Sequence, residues 1–131
     1  MHPPRTSSAL RQLGELHADP GLLQWEWAIA TPDPQGRLRL PGVARAALDV
    51  VAGHRRELRG VCHRVGLVVR PAGNGGVVVV DSRGRLTLPT WLRRDERRAL
   101  LIGTATDAPL LVVAPVAVLS VRAGLKPRLA A

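Results

Sequence analysis

Two short strings that pair an aspartate with an arginine are the part of this sequence best suited to chemistry. The first, D-P-Q-G-R-L-R-L-P, occupies residues 33–41, and the second, D-S-R-G-R-L-T-L-P, occupies residues 81–89. Six of their nine positions are identical at an offset of 48 residues. Arginine binds phosphate groups and can form two hydrogen bonds with guanine. The doubled string is therefore typical of a surface that contacts nucleic acid.

Other potentially reactive side chains form no comparable pattern. Cys62 and His63, with His54, offer two or three metal ligands without a second cluster, which is weak support for a metal site. Paired carboxylates, a nucleophile elbow and a phosphate-binding loop are not evident in the sequence. The glycine-rich residues 72–76 lack a following lysine and are interpreted as a linker. We expect no enzyme, no cofactor and no bound metal, and we expect Cys62 to be buried on a strand.

Charge and composition narrow the class of partner. The chain has 131 residues, 19 Lys+Arg against 10 Asp+Glu, and a formal charge of +9, which favours a polyanionic partner. Only 2% of residues are aromatic and Phe and Tyr are absent, which argues against modules that stack bases on aromatic rings and predicts an aliphatic core. The single cysteine fits a reducing compartment. With no evident signal peptide or membrane-spanning run, we expect a cytoplasmic, nucleoid-associated protein without membrane contact.

The two strings belong to a longer internal repeat. Residues 55–58 correspond to residues 97–100 at an offset of 42, and residues 67–71 correspond to residues 111–115 at an offset of 44. Each copy predicts a strand, a tight turn, a second strand, a short helix and a closing hairpin. Because about 40 residues is the lower limit of independent folding, we expect the two copies to share one core.

This organisation predicts a mainly β fold with short helices. Two tandem ββαββ halves would form one pseudo-two-fold swapped-hairpin barrel, with helices near residues 43–52 and 90–96. An amphipathic helix over residues 7–18 would pack on the barrel or pair subunits. The expected units are an N-terminal helical extension (1–24), copy one (25–71), a linker (72–76), copy two (77–115) and a basic C-terminal tail (116–131).

The string D-S-R-G-R-L-T-L-P-T-W-L-R-R resembles the signature of the AbrB/MazE/SpoVT superfamily of swapped-hairpin DNA-binding domains. That signature is Asp-x-x-Gly-Arg-apolar-x-apolar-Pro-x-x-apolar-Arg, followed by a β-hairpin. Copy two matches it at Asp81, Gly84, Arg85, Leu86, Leu88, Pro89, Leu92 and Arg93. Copy one matches it at Asp33, Gly36, Arg37, Leu38, Leu40, Pro41 and Arg45, with Ala44 at the apolar position before that arginine. Two copies in one chain are similar to the MraZ branch, although this chain has an N-terminal extension and a short link between copies.

The resemblance implies binding of double-stranded DNA through arginines on the turns, the strands and the first turn of the helix. It carries over Arg85, Arg93 and Arg94 in copy two, and Arg37 and Arg45 in copy one. Arg39 and Arg83 are added because of their charge and the strand face. The predicted DNA-binding residues are therefore Arg37, Arg39, Arg45, Arg83, Arg85, Arg93 and Arg94. We also expect a homo-oligomer, and we expect both motif aspartates to cap their turns and pair with a nearby arginine.

Several interpretations remain open at this point. The favoured one is a DNA-binding transcriptional regulator, because the motif is doubled and the net charge is strongly positive. An antitoxin that binds its operator and a toxin partner is the alternative, although the tail over residues 116–131 is short and basic rather than long and acidic. The arginines could also serve subunit contacts in an assembly module. Each of them could be an ordinary solvated residue, since a GC-rich genome enriches arginine without a functional cause.

Overall fold

One antiparallel β-sheet accounts for most of the folded chain. The structure is a computed structural model that describes residues 24–62, 66–92 and 99–116. Its strands are β1 (Trp25–Ala30), β2 (Arg37–Arg39), β3 (Arg56–Cys62), β4 (Leu67–Arg70), β5 (Gly76–Val80), β6 (Arg85–Thr87), β7 (Leu100–Ala105) and β8 (Leu110–Pro115). The described ranges also contain helix α1 (Gly42–Ala47) and a 3-10 turn (Thr90–Leu92). The expectation of a mainly β fold with short helices is confirmed.

The order of the strands makes the sheet nearly closed and barrel-like. The order is β1-β7-β8-β4-β3-β5-β6-β2, and every neighbouring pair is antiparallel. The two outermost strands, β1 and β2, are consecutive in the chain and are joined by residues 31–36. That short connection keeps the two edges of the sheet close together.

The interior of the barrel is packed with aliphatic side chains. Alternate residues of each strand point into it, for example Leu67 and Val69 on β4, and Val78 and Val80 on β5. Leu38, Leu58, Leu86, Ile102 and Val113 are among the fully buried residues, and no aromatic residue is as deeply buried in the described ranges. The predicted aliphatic core is confirmed.

A second apolar cluster lies on the other face of β1, β7 and β8. Val112 and Ala114 are buried there, and Trp25 and Trp27 pack against them with ring centroids 5.6 Å apart. Gly103 makes this packing possible, because a Cβ at that position would overlap the ring of Trp27. The cluster fixes β1 on β7 from the outer side.

The first helix is shorter than the sequence pattern predicts. The expected helix over residues 43–52 is wrong in its second half, because α1 ends at Ala47. Asp49 adopts a left-handed conformation with φ of 55°, and the N–H of Val50 donates to the carbonyl of Arg45 at 2.8 Å, which closes the end of the helix. The β-branched residues Val50 and Val51 and the nearby Gly53 do not favour a further turn.

Some expectations fall on residues that the structure does not describe. These are the helix over residues 7–18, the part of the second helix beyond Leu92, Arg93, Arg94 and the tail from residue 117 onward. Within the described ranges, no helix is both long enough and apolar enough to cross a lipid bilayer.

Candidate functional site

Strands β2 and β6 form a two-stranded ribbon that carries arginine on one face. Leu38 lies opposite Leu86, and both are fully buried. Side chains alternate along a strand, so the neighbours of these leucines face outward. Arg37 lies opposite Thr87, and Arg39 lies opposite Arg85. We call β2 and β6, with the turns that precede them (residues 33–36 and 81–84), the β2–β6 ribbon.

The turn before β2 is built around the carboxylate of Asp33. Its Oδ1 accepts hydrogen bonds from the backbone N–H groups of Gln35 at 3.0 Å and Arg37 at 2.8 Å. Its Oδ2 accepts from Nε of Arg37 at 3.0 Å. Gly36 has φ of 75°, a conformation that glycine adopts without strain. The aspartate, the glycine and the arginine of the motif thus all take part in the turn.

The turn before β6 repeats this geometry. Oδ1 of Asp81 accepts from the backbone N–H groups of Arg83 and Arg85, each at 2.9 Å. Its Oδ2 accepts from Nε of Arg85 at 2.8 Å, and Gly84 has φ of 76°. The expectation that both aspartates cap their turns and pair with an arginine is confirmed.

Each turn also bonds to the end of the opposite strand of the ribbon. The N–H of Leu40 donates to the carbonyl of Gly84 at 3.0 Å, and the N–H of Leu88 donates to the carbonyl of Gly36 at 2.9 Å. In addition, Nη1 of Arg85 lies 3.8 Å from Oδ2 of Asp33. These links cross the ribbon at both ends and hold the turns in a fixed relative position.

Hydrogen bonding lowers the pKa of both turn carboxylates. The backbone N–H of Arg37 lowers the pKa of Asp33, partial burial raises it, and the guanidinium of Arg37 lowers it further, so the net pKa is below its usual value. Partial burial raises the pKa of Asp81, but the backbone and side chain of Arg85 and the backbone of Arg83 outweigh burial and lower it. Each turn therefore holds a charged pair at neutral pH.

The arginines of the ribbon differ in whether a carboxylate of the chain already binds their guanidinium groups. Arg37 and Arg85 are engaged by carboxylates, with side chains only 32% and 25% exposed. Arg39 and Arg83 are exposed, and no side-chain hydrogen bond or ion pair joins either guanidinium to another residue in the described ranges. Arg37 and Arg85 therefore hold the turns in shape, and Arg39 and Arg83 are available to a ligand.

Helix α1 brings one more predicted arginine to this surface. Arg45, in the last turn of α1, lies along the second turn, because a Cβ on Gly84 would be 2.9 Å from Cδ of Arg45. Its Nε is buried and has no hydrogen-bond partner among the described residues. Five of the seven predicted residues are thus grouped on one surface, and Arg93 and Arg94 lie outside the described ranges.

Two residues of this surface were not singled out from the sequence. Gln35 accepts a hydrogen bond from Nη2 of Arg37 through its Oε1 at 3.3 Å, and Thr87 is exposed on the ribbon face. At the offset of 48 residues, Gln35 corresponds to Arg83 and Thr87 to Arg39. Comparing the two copies position by position would have identified both.

The expectation of a buried cysteine is wrong. Cys62 lies at the end of β3 with its side chain exposed, and its Sγ accepts a hydrogen bond from Nε1 of Trp91 at 3.3 Å. A strand end faces less of the core than a strand centre, which accounts for the exposure. Among the residues that the structure describes, no group of three or more His, Cys, Asp or Glu side chains is placed to hold a metal ion.

Comparisons with known proteins add no relative. A scan against protein-family models, a search of curated proteins and a search of solved structures each find no match to this chain. The likeness to the AbrB/MazE/SpoVT superfamily therefore remains a resemblance carried by the motif residues quoted above.

Proposed function

We propose that the protein binds double-stranded DNA through the β2–β6 ribbon and acts as a transcriptional regulator. The observation that carries this proposal is the sidedness of the ribbon. Leu38 and Leu86 anchor its inner face in the core, while its outer face presents arginine at three of the four ribbon positions, Arg37, Arg39 and Arg85. The backbone of this surface is held by hydrogen bonds within the ribbon, so binding has to order the exposed arginine side chains but not the strands and turns that carry them.

The shape of the ribbon suits the major groove of DNA. A two-stranded antiparallel ribbon fits that groove, where base edges can be distinguished by their hydrogen-bonding groups. Arginine supplies both the phosphate contacts that dominate affinity and the paired hydrogen bonds that select guanine. Arg39 and Arg83 are the residues most available for such contacts, because their guanidinium groups have no partner within the described part of the chain.

We further propose that the barrel consists of two ββαββ halves related by a pseudo-two-fold axis. Exchanging β1 to β4 with β5 to β8 reproduces six of the seven strand pairings; the seventh, β5 with β6, would correspond to β1 and β2, the two edges of the sheet. Leu38 lies opposite Leu86, its counterpart at the offset of 48, and Val68 lies opposite Val112, its counterpart at the offset of 44. Both pairs support an axis that passes between the copies at these two points.

The proposal is tested by DNA affinity over a salt series. We would measure fluorescence anisotropy of labelled duplex DNA with the intact protein and with the variants Arg39→Gln, Arg83→Gln and Arg59→Gln. Arg59 is exposed on β3, outside the ribbon, so its variant removes the same charge elsewhere. Each ribbon variant should bind more weakly, and the dependence of log affinity on log salt should become shallower by about 0.9 for each phosphate that is no longer neutralised.

The control variant should bind like the intact protein. If the intact protein fails to bind duplex DNA even at low salt, the proposal is wrong. An equal drop in affinity for Arg59→Gln and the two ribbon variants would show that net charge, not the ribbon, determines binding.

A further inference from the structure

The two ends of the β2–β6 ribbon are chemically unequal. We call the end where β2 finishes against the second turn the Gly84 end, and the end where β6 finishes against the first turn the Gly36 end. The register places Arg39 and Arg85 towards the Gly84 end, and Arg37 and Thr87 towards the Gly36 end. The ribbon therefore has a direction, although its backbone pairing is symmetric about Leu38 and Leu86.

Two independent differences between the copies produce this inequality. Arg39 has Thr87 as its counterpart, and Arg83 has Gln35 as its counterpart, each at an offset of 48 residues. Because the strands are antiparallel, both arginines fall at the Gly84 end, and both neutral residues fall at the Gly36 end. Arg45 adds a further positive charge beside Gly84. Within the described residues, Arg39, Arg83 and Arg45 therefore surround the Gly84 end and Arg37 lies at the Gly36 end, while the guanidinium of Arg85 is held between Asp81 and Asp33.

The residue types at the two ends suit different bases. Arginine pairs with O6 and N7 of guanine, whereas glutamine pairs with N6 and N7 of adenine, and threonine contacts the methyl group of thymine. Gln35 can make such a contact, because Nη2 of Arg37 donates to its Oε1 at 3.3 Å and uses only one lone pair of that oxygen. The second lone pair can accept from N6 of adenine while Nε2 donates to N7. Arg83 is equally exposed on the matching turn.

We propose that the two ends of the ribbon recognise different bases, guanine at the Gly84 end through Arg39 and Arg83, and adenine or thymine at the Gly36 end through Gln35 and Thr87. This inference rests on the proposed DNA binding. It makes the unit bound by one chain asymmetric and gives the protein one orientation on its site. Gln35 and Thr87 are thereby specificity-determining residues.

The ribbon also sets the spacing between the two recognised bases. Gly36 and Gly84 lie against Leu88 and Leu40, which puts the ends of the ribbon four residues apart along each strand. At about 3.4 Å per residue this is about 14 Å, or about four base pairs of duplex DNA. The turn residues reach slightly beyond the glycines, so we expect the guanine and the A·T pair about four to six base pairs apart.

The test is selection of bound sites from a randomised duplex library by the full chain and by variants that make the ribbon symmetric. In Gln35→Arg/Thr87→Arg both ends carry the arginine pair, and in Arg39→Thr/Arg83→Gln both ends carry glutamine and threonine. The intact protein should enrich a unit with guanine at one end and an A·T pair at the other. The first variant should enrich guanine at both ends, with preference for guanine over adenine at the converted end rising about tenfold or more. The second should enrich A·T pairs at both ends, and Arg59→Gln should leave the unit unchanged.

The possible failures are distinguishable. An intact protein that enriches a unit palindromic over four to six base pairs, or that binds all duplexes equally, overturns the inference and leaves the proposed DNA binding intact. An enriched unit that is unchanged in both symmetric variants also overturns it. An intact protein that binds no duplex removes the proposed function and this inference together.

Discussion

Arg37 and Arg85 occupy the positions that the motif marks most strongly, and both are drawn towards carboxylates rather than towards solvent. Their substitution would therefore loosen a turn and alter the surface indirectly. Arg39 and Arg83 are exposed on the same ribbon, so their substitution would remove a DNA-binding group while leaving the turns in place. If replacing Arg37 or Arg85 weakens DNA binding, the cause can be a distorted turn. If replacing Arg39 or Arg83 weakens DNA binding, the cause is the loss of a direct contact.

The two turn aspartates should make stability depend on acidity. The folded-state pKa of Asp33 and Asp81 lies below the ordinary value of 3.8, so their contribution is fully present above that pH and is lost as pH falls through the lowered values. Asp33→Asn/Asp81→Asn should lower stability near neutral pH and flatten its decline below about pH 4. Denaturant unfolding between pH 2 and 7 measures this, and parallel pH profiles for the two proteins would contradict it.

At the scale of elements, the turns were predictable and the partners of the strands were not. Asp-x-x-Gly-Arg specifies a capped turn with a left-handed glycine, so Asp81 and Gly84 could be placed from local sequence alone. The pairing of β1 with β7 depends on residues at least 70 positions apart in the chain, and only the repeat indicated that the two halves share one sheet. The length of α1 was overestimated because helical spacing does not record the left-handed turn at Asp49. The exposure of Cys62 likewise depends on where its strand ends against the rest of the barrel.

Gly84 in the second turn should tolerate substitution less well than Gly76 in β5. Gly84→Ala places a side chain at φ of 76° and 2.9 Å from Cδ of Arg45, so we expect the free energy of unfolding to fall by about 1–3 kcal/mol. Gly76→Ala is the matched control, because a Cβ there meets nothing within 4 Å, and its effect should stay within about 0.5 kcal/mol. Urea unfolding of both variants measures these changes in the free energy of unfolding. Equal losses in the two variants would contradict the turn geometry.

At the scale of the whole molecule, the halves of the chain are interleaved rather than side by side. Strand β1 pairs with β7, β3 pairs with β5, and β4 pairs with β8, so that each half completes the sheet of the other. The net charge of +9 acts on top of this architecture by attracting a polyanion from a distance. It is the ribbon that would decide how that polyanion is held.

Interleaving predicts that the halves fold only together. Fragments 1–74 and 75–131 should each lack cooperative unfolding as monomers, because separation removes the pairings between β1 and β7, β3 and β5, and β4 and β8. Mixing the two fragments should restore a β-sheet circular dichroism spectrum and a single unfolding transition. A fragment that folds alone, with stability independent of its concentration, would contradict the interleaved arrangement.

The most direct test of DNA binding by the ribbon is to map the binding surface by NMR in solution. Amide resonances of the isotope-labelled protein would be followed as a duplex that it binds is added. We predict that the largest shifts belong to the β2–β6 ribbon, including Gln35, Arg39, Arg83 and Thr87, while the exposed residues of β3 around Arg59 remain unchanged. Shifts centred on β3, or spread evenly over the basic surface, would contradict the assignment of the ribbon as the DNA-binding element.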